Sequence, residues 1–540
     1  MLRSALLILL GLVWFPTPAT AQSAEEAPKE VSGQETVAQR PIIGPTFEEV
    51  IESITVDEIQ EHFNFLAGPT TRGRGTLTPG FDLAAEYVEA RLTELGLKPA
   101  GSEGSYRLPI ELAVAGPSED CFFEIQKGKG DPKRLIVGVD FVPVPGSSSK
   151  AIEGEPVFVG FAIDARKEKW EDLSPRKVKG KVVFAFTREP FADDKKTKRF
   201  DGLEATKHSE LSAKAPAVKA AGGVALVLIP DPGVFPDEVG PIPNLLELPM
   251  WPGGRARDLG RMVNMSGLPV ASVSRKVASE LFGTDIDKYY QSILKRKKPK
   301  PLSVKGKIKV HFTSAFTDLK VPAYNLGAVI PGTESDGEVV VLGAHLDHVG
   351  LNFLMDKGQM RVHPGADDNA SGTAALLEVA EALADQKPKV DLLLLWFTGE
   401  ENGLLGSRAY CADPLYPHDK TLVMLNMDQI ARTDPKEMFL GGVWDSDSWK
   451  RLIKKQSKRI SSPLKMETDG HKDMYMRSDQ WSFAEKKVPA IFFFEGNIEK
   501  NKLYHKPGDV AESILTDKVM WIARLFAATA WAVAMEDERP

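Results

Sequence analysis

The stretch EVVVLGAHLDH, residues 338–348, runs through three valines and a leucine and stops at a histidine, with a carboxylate and a second histidine close behind. An apolar run of this length without alternation is the pattern of a strand buried on both faces. Four further stretches read the same way: NLGAVI, DLLLLWFTG, TLVMLNMD and PAIFFFEG. Between the first of these strands and DLLLLWFTG lies SGTAALLEVAEALADQ, in which Leu376, Val379, Ala380 and Leu383 recur at helical spacing. Apolar strands alternating with helices predict an α/β fold, a mostly parallel mixed sheet covered by helices on both faces.

In such sheets functional groups gather beyond the carboxyl ends of the strands. The 338–345 strand ends in His345, followed by Asp347 and His348. DLLLLWFTG runs into Glu400 and Glu401, and TLVMLNM into Asp428. The loop GADDNASG puts Asp367 and Asp368 at the mouth of the Ala-rich helix, and LYHKPGD presents Tyr504, His505 and Asp509. Each position taken alone reads as a cap or a surface residue. Together, several carboxylates at one apolar edge repel one another and resist ionisation unless cations sit among them. Mixed imidazole and carboxylate donors suit zinc.

At 540 residues the chain exceeds a single core, and two or three domains are expected. A formal charge of −7 over this length gives no electrostatic case for nucleic acid or an anionic membrane surface. Arg3, the apolar residues 4–14 and the small-x-small Ala19-Thr20-Ala21 make a cleavable export signal, 1–21, too short an apolar run to anchor in a bilayer. Residues 22–44 are polar and acidic and read as a flexible lead-in. The chain is therefore expected in the periplasm or the medium, with no stable membrane insertion after cleavage. Residues 47–66 have helical spacing, with Thr55 and Asp57 as caps in the middle, and FDLAAEYVEARLTELGL is an amphipathic helix closed by Gly96. From 142 to 303 the texture changes to short β-rich runs, EPVFVGFAI, GKVVFAF, GVALVLIP and LPVASVS, with SAKAPAVKAAG as a small-residue helix. That segment reads as an inserted β-rich domain closed by the basic connector LKRKKPKP, with the catalytic domain on either side of it, at 45–141 and 304–540. Cys121 and Cys411 are the only cysteines, and nothing in their spacing pairs them.

The elements AHLDH, GADDNASG, TGEENGLLGS, NMDQIAR and YHKPGD, in this order, resemble the co-catalytic zinc aminopeptidases, metallopeptidase family twenty-eight. The likeness extends to FLAGPTTRGRGTLTPG near the N-terminus, and the β-rich segment looks like the protease-associated domain often inserted in that family. The resemblance implies the zinc-exopeptidase (phosphorylase/hydrolase-like) fold and two zinc ions per chain. By it His345 and Asp428 hold one ion, Glu401 and His505 the other, and Asp368 bridges them ahead of a cis Asp368–Asn369 peptide. Glu400 becomes the general base, Asp347 a support orienting a ligand histidine, and Tyr504 a donor to the oxyanion. The implied activity is release of N-terminal residues from peptides with a free N-terminus, by a hydroxide bridging the metals. Two zinc ions bring four positive charges against three from Asp368, Glu401 and Asp428, which leaves one to hold that hydroxide.

His348 reads either as a residue lining the substrate cleft or as an ordinary polar loop residue, the second being slightly favoured. Gln480, where many relatives have histidine, marks an altered cleft contact, and METDGHKDMYMRSDQ reads as a substrate-side loop. A glutaminyl cyclase, a carboxypeptidase and a non-catalytic scaffold share the fold, and retention of the full ligand set argues against the first and third.

Overall fold

The computed structural model describes residues 46–535, apart from 145–146, 193–196, 198, 202–205, 234–266, 299, 353–360 and 497. The expected export signal and lead-in lie outside the described residues.

Nine strands of the described residues form the main sheet. Its centre is the run Asp391–Phe397, Val339–His345, Thr421–Met427, Ala490–Phe494, all parallel. Antiparallel strands close it on both sides, Phe316–Ile330 next to Asp391–Phe397 and Glu437–Gly441 next to Ala490–Phe494. Successive residues of the Val339–His345 strand alternate between two cores, which is why the sequence shows no polar alternation. Val340, Leu342 and Ala344 face the helices Val56–Leu66, Pro79–Glu94, Ser371–Leu383 and Thr516–Met535. Val339 and Val341 face Tyr410 and Phe483 on the opposite side. Each large apolar side chain so buried contributes about 1.5–3 kcal/mol. Thr516–Met535 is long and apolar enough to cross a membrane, but 72% of its apolar window is buried within this fold.

Helix ends follow local chemistry. Residues 47–66 form two helices, Phe47–Glu52 and Val56–Leu66, because the Thr55 hydroxyl accepts the Glu58 N–H and starts a new helix. The Pro79–Glu94 helix ends before Gly96, whose φ of 64° lets Leu97 N–H reach back to the Leu92 carbonyl.

Chain order makes the Val339–His345 strand the switch point of the sheet. From it the chain passes through Ser371–Leu383 to the strand on one side, then crosses to Thr421–Met427 on the other. The crevice at its carboxyl end lies between diverging connections, where α/β sheets place their ligands.

A second body of structure has its own cores. Pro156–Gly160, Val182–Phe186, Ala225–Ile229 and Val270–Val273 are parallel and sit within a six-stranded sheet. Leu211–Ala220 packs on one face through Leu211, Ala215 and Val218. The other face carries two helices, Arg275–Phe282 and Ile286–Arg296, so the basic connector begins inside a helix. A four-stranded sheet joins the same core through Phe123, Ile125, Val310 and Phe312, drawing in residues from both sides of 142–303.

Candidate metal centre

The strand ends bring the acidic and imidazole groups into one cluster. His345 Nε2 lies 3.2 Å from Asp428 Oδ1, 3.4 Å from Asp368 Oδ1 and 4.0 Å from Glu400 Oε2. On the far side of Asp368, His505 Nε2 lies 3.1 Å from Asp368 Oδ2 and 3.0 Å from Glu401 Oε2. Asp368 thus turns one oxygen to each imidazole. His345, Glu400 and Asp428 form one group whose donor atoms are close enough to hold an ion, and His348, Asp368, Glu401 and His505 form another. His505 Nε2 is buried and makes no hydrogen bond although two carboxylates face it, the condition of a nitrogen aimed at a cation. Imidazole and carboxylate donors in this mixture fit zinc.

The scaffold behind these groups is dense. The Asp347 carboxylate accepts the Thr76 hydroxyl at 2.8 Å and the Glu400 N–H at 3.1 Å, tying the two strand ends together. His345 Nδ1 meets the main-chain oxygen of Asp347 at 3.1 Å, whereas the carboxylate is 3.8 Å away. The main chain of Asp347 therefore orients His345, and its side chain positions Glu400. Asp367 faces away from the cluster, accepting the Ala431 N–H and the Asn501 amide, each at 2.8 Å. Asp509 accepts the N–H groups of Asp367 and Asp368 and pairs with Arg432, fixing the loop that carries Asp368. The peptide between Asp368 and Asn369 is cis.

The structure brings two further residues to the centre, Arg74, which the sequence did not single out, and His348, whose place it left open. Arg74, inside a stretch that reads as a plain Gly/Thr/Pro loop, is fully buried. Its guanidinium donates to the carbonyls of Leu346 at 2.9 Å, Leu66 at 2.6 Å, Pro364 at 2.8 Å and Gly365 at 2.9 Å, clamping the two loops that bear His345 and Asp368. His348, expected in the loop, is buried with Nδ1 2.6 Å from Glu401 Oε1 and 3.8 Å from Asp368 Oδ1. His348 pairs with Gly75 just beyond the end of the Val339–His345 strand, which keeps it at the same crevice.

With only protein groups counted, burial pushes the Glu400 carboxyl well up; His345 opposes this, while Asp428 and Glu401 add to it. Burial also raises Asp347, to about 6. Glu401 goes the other way, to about 2: burial and Asp368 would raise it, but His505 and His348 prevail. Burial would lower His505, yet Glu401 and Asp368 carry it up to about 10. One crevice thus holds a carboxyl that favours its proton beside one that gives its proton up readily, the separation acid–base chemistry requires.

A cavity of about 470 Å³ opens on Glu400, Asp368, Asp428 and His505. Met474, Met476, Phe492 and Phe494 form its apolar wall, so part of the expected substrate-side loop does line it. The Tyr504 ring lies 3.9 Å from the His505 ring, centroid to centroid, and its hydroxyl accepts from Arg477 Nη2 at 3.1 Å. Burial raises the Tyr504 phenol, keeping it protonated. Gln480 is not a cleft contact: it is buried, accepting from the Asn426 amide and donating to the Tyr475 carbonyl. His62 is a core residue against Tyr87 and Glu378, and His208, His311, His363, His418 and His471 lie outside both donor groups. Cys121 and Cys411 are both buried and free.

The class that this architecture and crevice define is a mixed α/β sheet protein with two adjoining groups of candidate metal ligands at its switch point. Residues 325–530 match the profile described as Peptidase family M28. The chain is 27% identical over 212 residues to the uncharacterized protein YfbL of Escherichia coli K12, covering 34% of this chain and 64% of that one. It is 32% identical over 232 residues to a probable leucine aminopeptidase of Arthroderma otae, covering 40% and 57%. The leupeptin-inactivating enzyme 1 of Streptomyces exfoliatus is 32% identical over 201 residues, covering 36% and 41%. The matches thus span less than two thirds of these relatives' length. Among solved structures, the aminopeptidase from Aneurinibacillus sp. strain AM-1 aligns over 92% of this chain and 98% of its own, at 17% identity and a TM-score of 0.46.

Proposed function

We propose that this chain is an exported zinc aminopeptidase that removes N-terminal residues from peptides, with two zinc ions per chain. The observation that carries the reading is Asp368, one oxygen facing His345 and the other His505. His345 and Asp428 would hold one ion, Glu401 and His505 the other, with Asp368 shared. When bound, zinc acidifies water and polarises a carbonyl at neutral pH.

The remaining work falls to the chain. Glu400, whose buried carboxyl favours its proton, takes one from the attacking water and returns it to the leaving amine. Its backbone N–H is held by the Asp347 carboxylate, which fixes the point from which the side chain reaches into the crevice. Tyr504 accepts from Arg477, which leaves its own O–H free to donate to the carbonyl oxygen as negative charge develops there. The wall of Met474, Phe492 and Phe494 receives an apolar N-terminal side chain, in keeping with the leucine aminopeptidase names of several relatives. Export is supported by the tripartite pattern of residues 1–21, and the second body of structure corresponds to a protease-associated domain. That domain narrows access and favours short peptides.

A panel of aminoacyl-nitroanilides run with and without chelator tests the reading. Hydrolysis of leucyl or phenylalanyl substrates, abolished by chelator and restored by zinc, is the expected result. Hydrolysis only of peptides blocked at the N-terminus would replace it with a carboxypeptidase.

A further inference from the structure

We infer that His348 is a positioning residue for the Glu401 carboxylate, holding it by a hydrogen bond from Nδ1 without entering the coordination sphere itself. The inference rests on reading the cluster as a zinc site. It starts from a contrast of distances. Two donors on one zinc, each about 2.1 Å from it at a tetrahedral angle, stand about 3.4 Å apart. His505 Nε2, at 3.0 and 3.1 Å from its carboxylate oxygens, is near that spacing. His348 Nδ1, at 2.6 Å from Glu401 Oε1, is too close to share an ion with that oxygen and lies at the separation of a short charge-assisted hydrogen bond.

The two oxygens of Glu401 are thereby divided. Oε1 accepts the hydrogen bond from His348 Nδ1, and Oε2 faces His505 and the shared side of Asp368. A free carboxylate can turn about its last bond; this one is pinned. His348 Nε2 is buried without a hydrogen-bond partner, so the ring bonds through Nδ1 alone.

The surroundings fix the ring in turn. The His348 N–H donates to the Arg74 carbonyl at 3.1 Å, so the clamp behind the site also sets this residue. Gly365, at φ 64°, lies against the ring face, and a Cβ there would fall 2.4 Å from His348 Cδ2. The ring therefore has one place to stand. Partners that orient a ligand from behind typically change metal affinity 10–100-fold when lost.

The test uses the full chain and zinc affinity read by competition with a chromophoric chelator. H348F keeps a ring but removes the donor; H348N places an amide N–H close to where Nδ1 stood. H348F is expected to weaken the tighter-held zinc or its neighbour by about 10–100-fold, and H348N to recover most of that loss. H348S, which adds no bulk, makes the same comparison should the phenylalanine not fold. Wild-type affinity in H348F or H348S would overturn the proposal. So would H348N binding as weakly as H348F while melting like the wild type. Loss of a zinc-bound histidine in H348N, seen by X-ray absorption, would make His348 a ligand and overturn it too. A wild-type chain that takes up no zinc would instead remove the underlying reading of the site.

Discussion

The chain buries charge in two places and balances it differently in each. In the second body, Asp231 is met by Arg188 at 2.8 and 3.0 Å and by the Thr187 hydroxyl at 2.8 Å. Lys214, also buried, donates to the Arg188 and Phe161 carbonyls. The fully buried Asp231 carboxylate thus has a cation of the chain beside it. At the carboxyl edge of the main sheet, Asp368, Glu400, Glu401 and Asp428 crowd around three imidazoles. The two arginines behind them are otherwise engaged, Arg74 on carbonyls and Arg432 on Asp509 and the Ser513 carbonyl. Charge neutralised by the chain's own residues holds a fold together. Charge left for something from outside is a binding site.

The contrast can be broken most forcefully in the second body. Arg188→Met strands the Asp231 carboxylate in a dry interior and should cost about 3–5 kcal/mol of stability, read by denaturant unfolding. Zinc content in the folded fraction should not change; a fall would mean that the two charge systems are coupled. At the main sheet, Glu400→Gln removes one of the crowded charges and the proton carrier. Turnover should fall at least about 10²-fold, with zinc content and melting temperature near normal. Retained turnover would take Glu400 out of its role.

Thr76→Val deprives the buried Asp347 carboxylate of one donor and should destabilise by about 1.5–3 kcal/mol. Because Asp347 holds the Glu400 N–H, kcat should drop with it, and unchanged kcat would unlink the two. The smallest expected effect concerns pH. His505, at about 10 in the zinc-stripped chain, carries a proton at neutral pH that zinc must displace. Affinity should therefore rise about tenfold for each proton released between pH 6.5 and 7.5 in chelator competition. A flat profile would place the proton elsewhere.

The strands that carry His345, Glu400 and Asp428 were legible because burial on both faces leaves an unbroken apolar run, and a run that ends abruptly marks the sheet edge. The Asp368 loop and His505 were legible as motifs. Arg74 was not, because its partner carbonyl at Leu346 lies 272 residues along the chain and no local pattern encodes a bond to a backbone oxygen. His348 was hidden for a related reason: beyond the end of the Val339–His345 strand, alternation no longer tells which way a side chain points. Phe123 and Val310 read as belonging to the flanking domain, yet they complete the core of the second body, since hydrophobicity shows that a residue is buried but not against what. Gln480 looked like a cleft residue by position and proved to be packed beneath it.

If two imported cations balance the acids at the sheet edge, native mass spectrometry of the purified chain, with zinc quantified on the same sample, should find two zinc ions per chain. Both should be lost, together with aminopeptidase activity, on exhaustive chelation. A chain that is active with no metal, or that binds a single zinc at full activity, would contradict this balance.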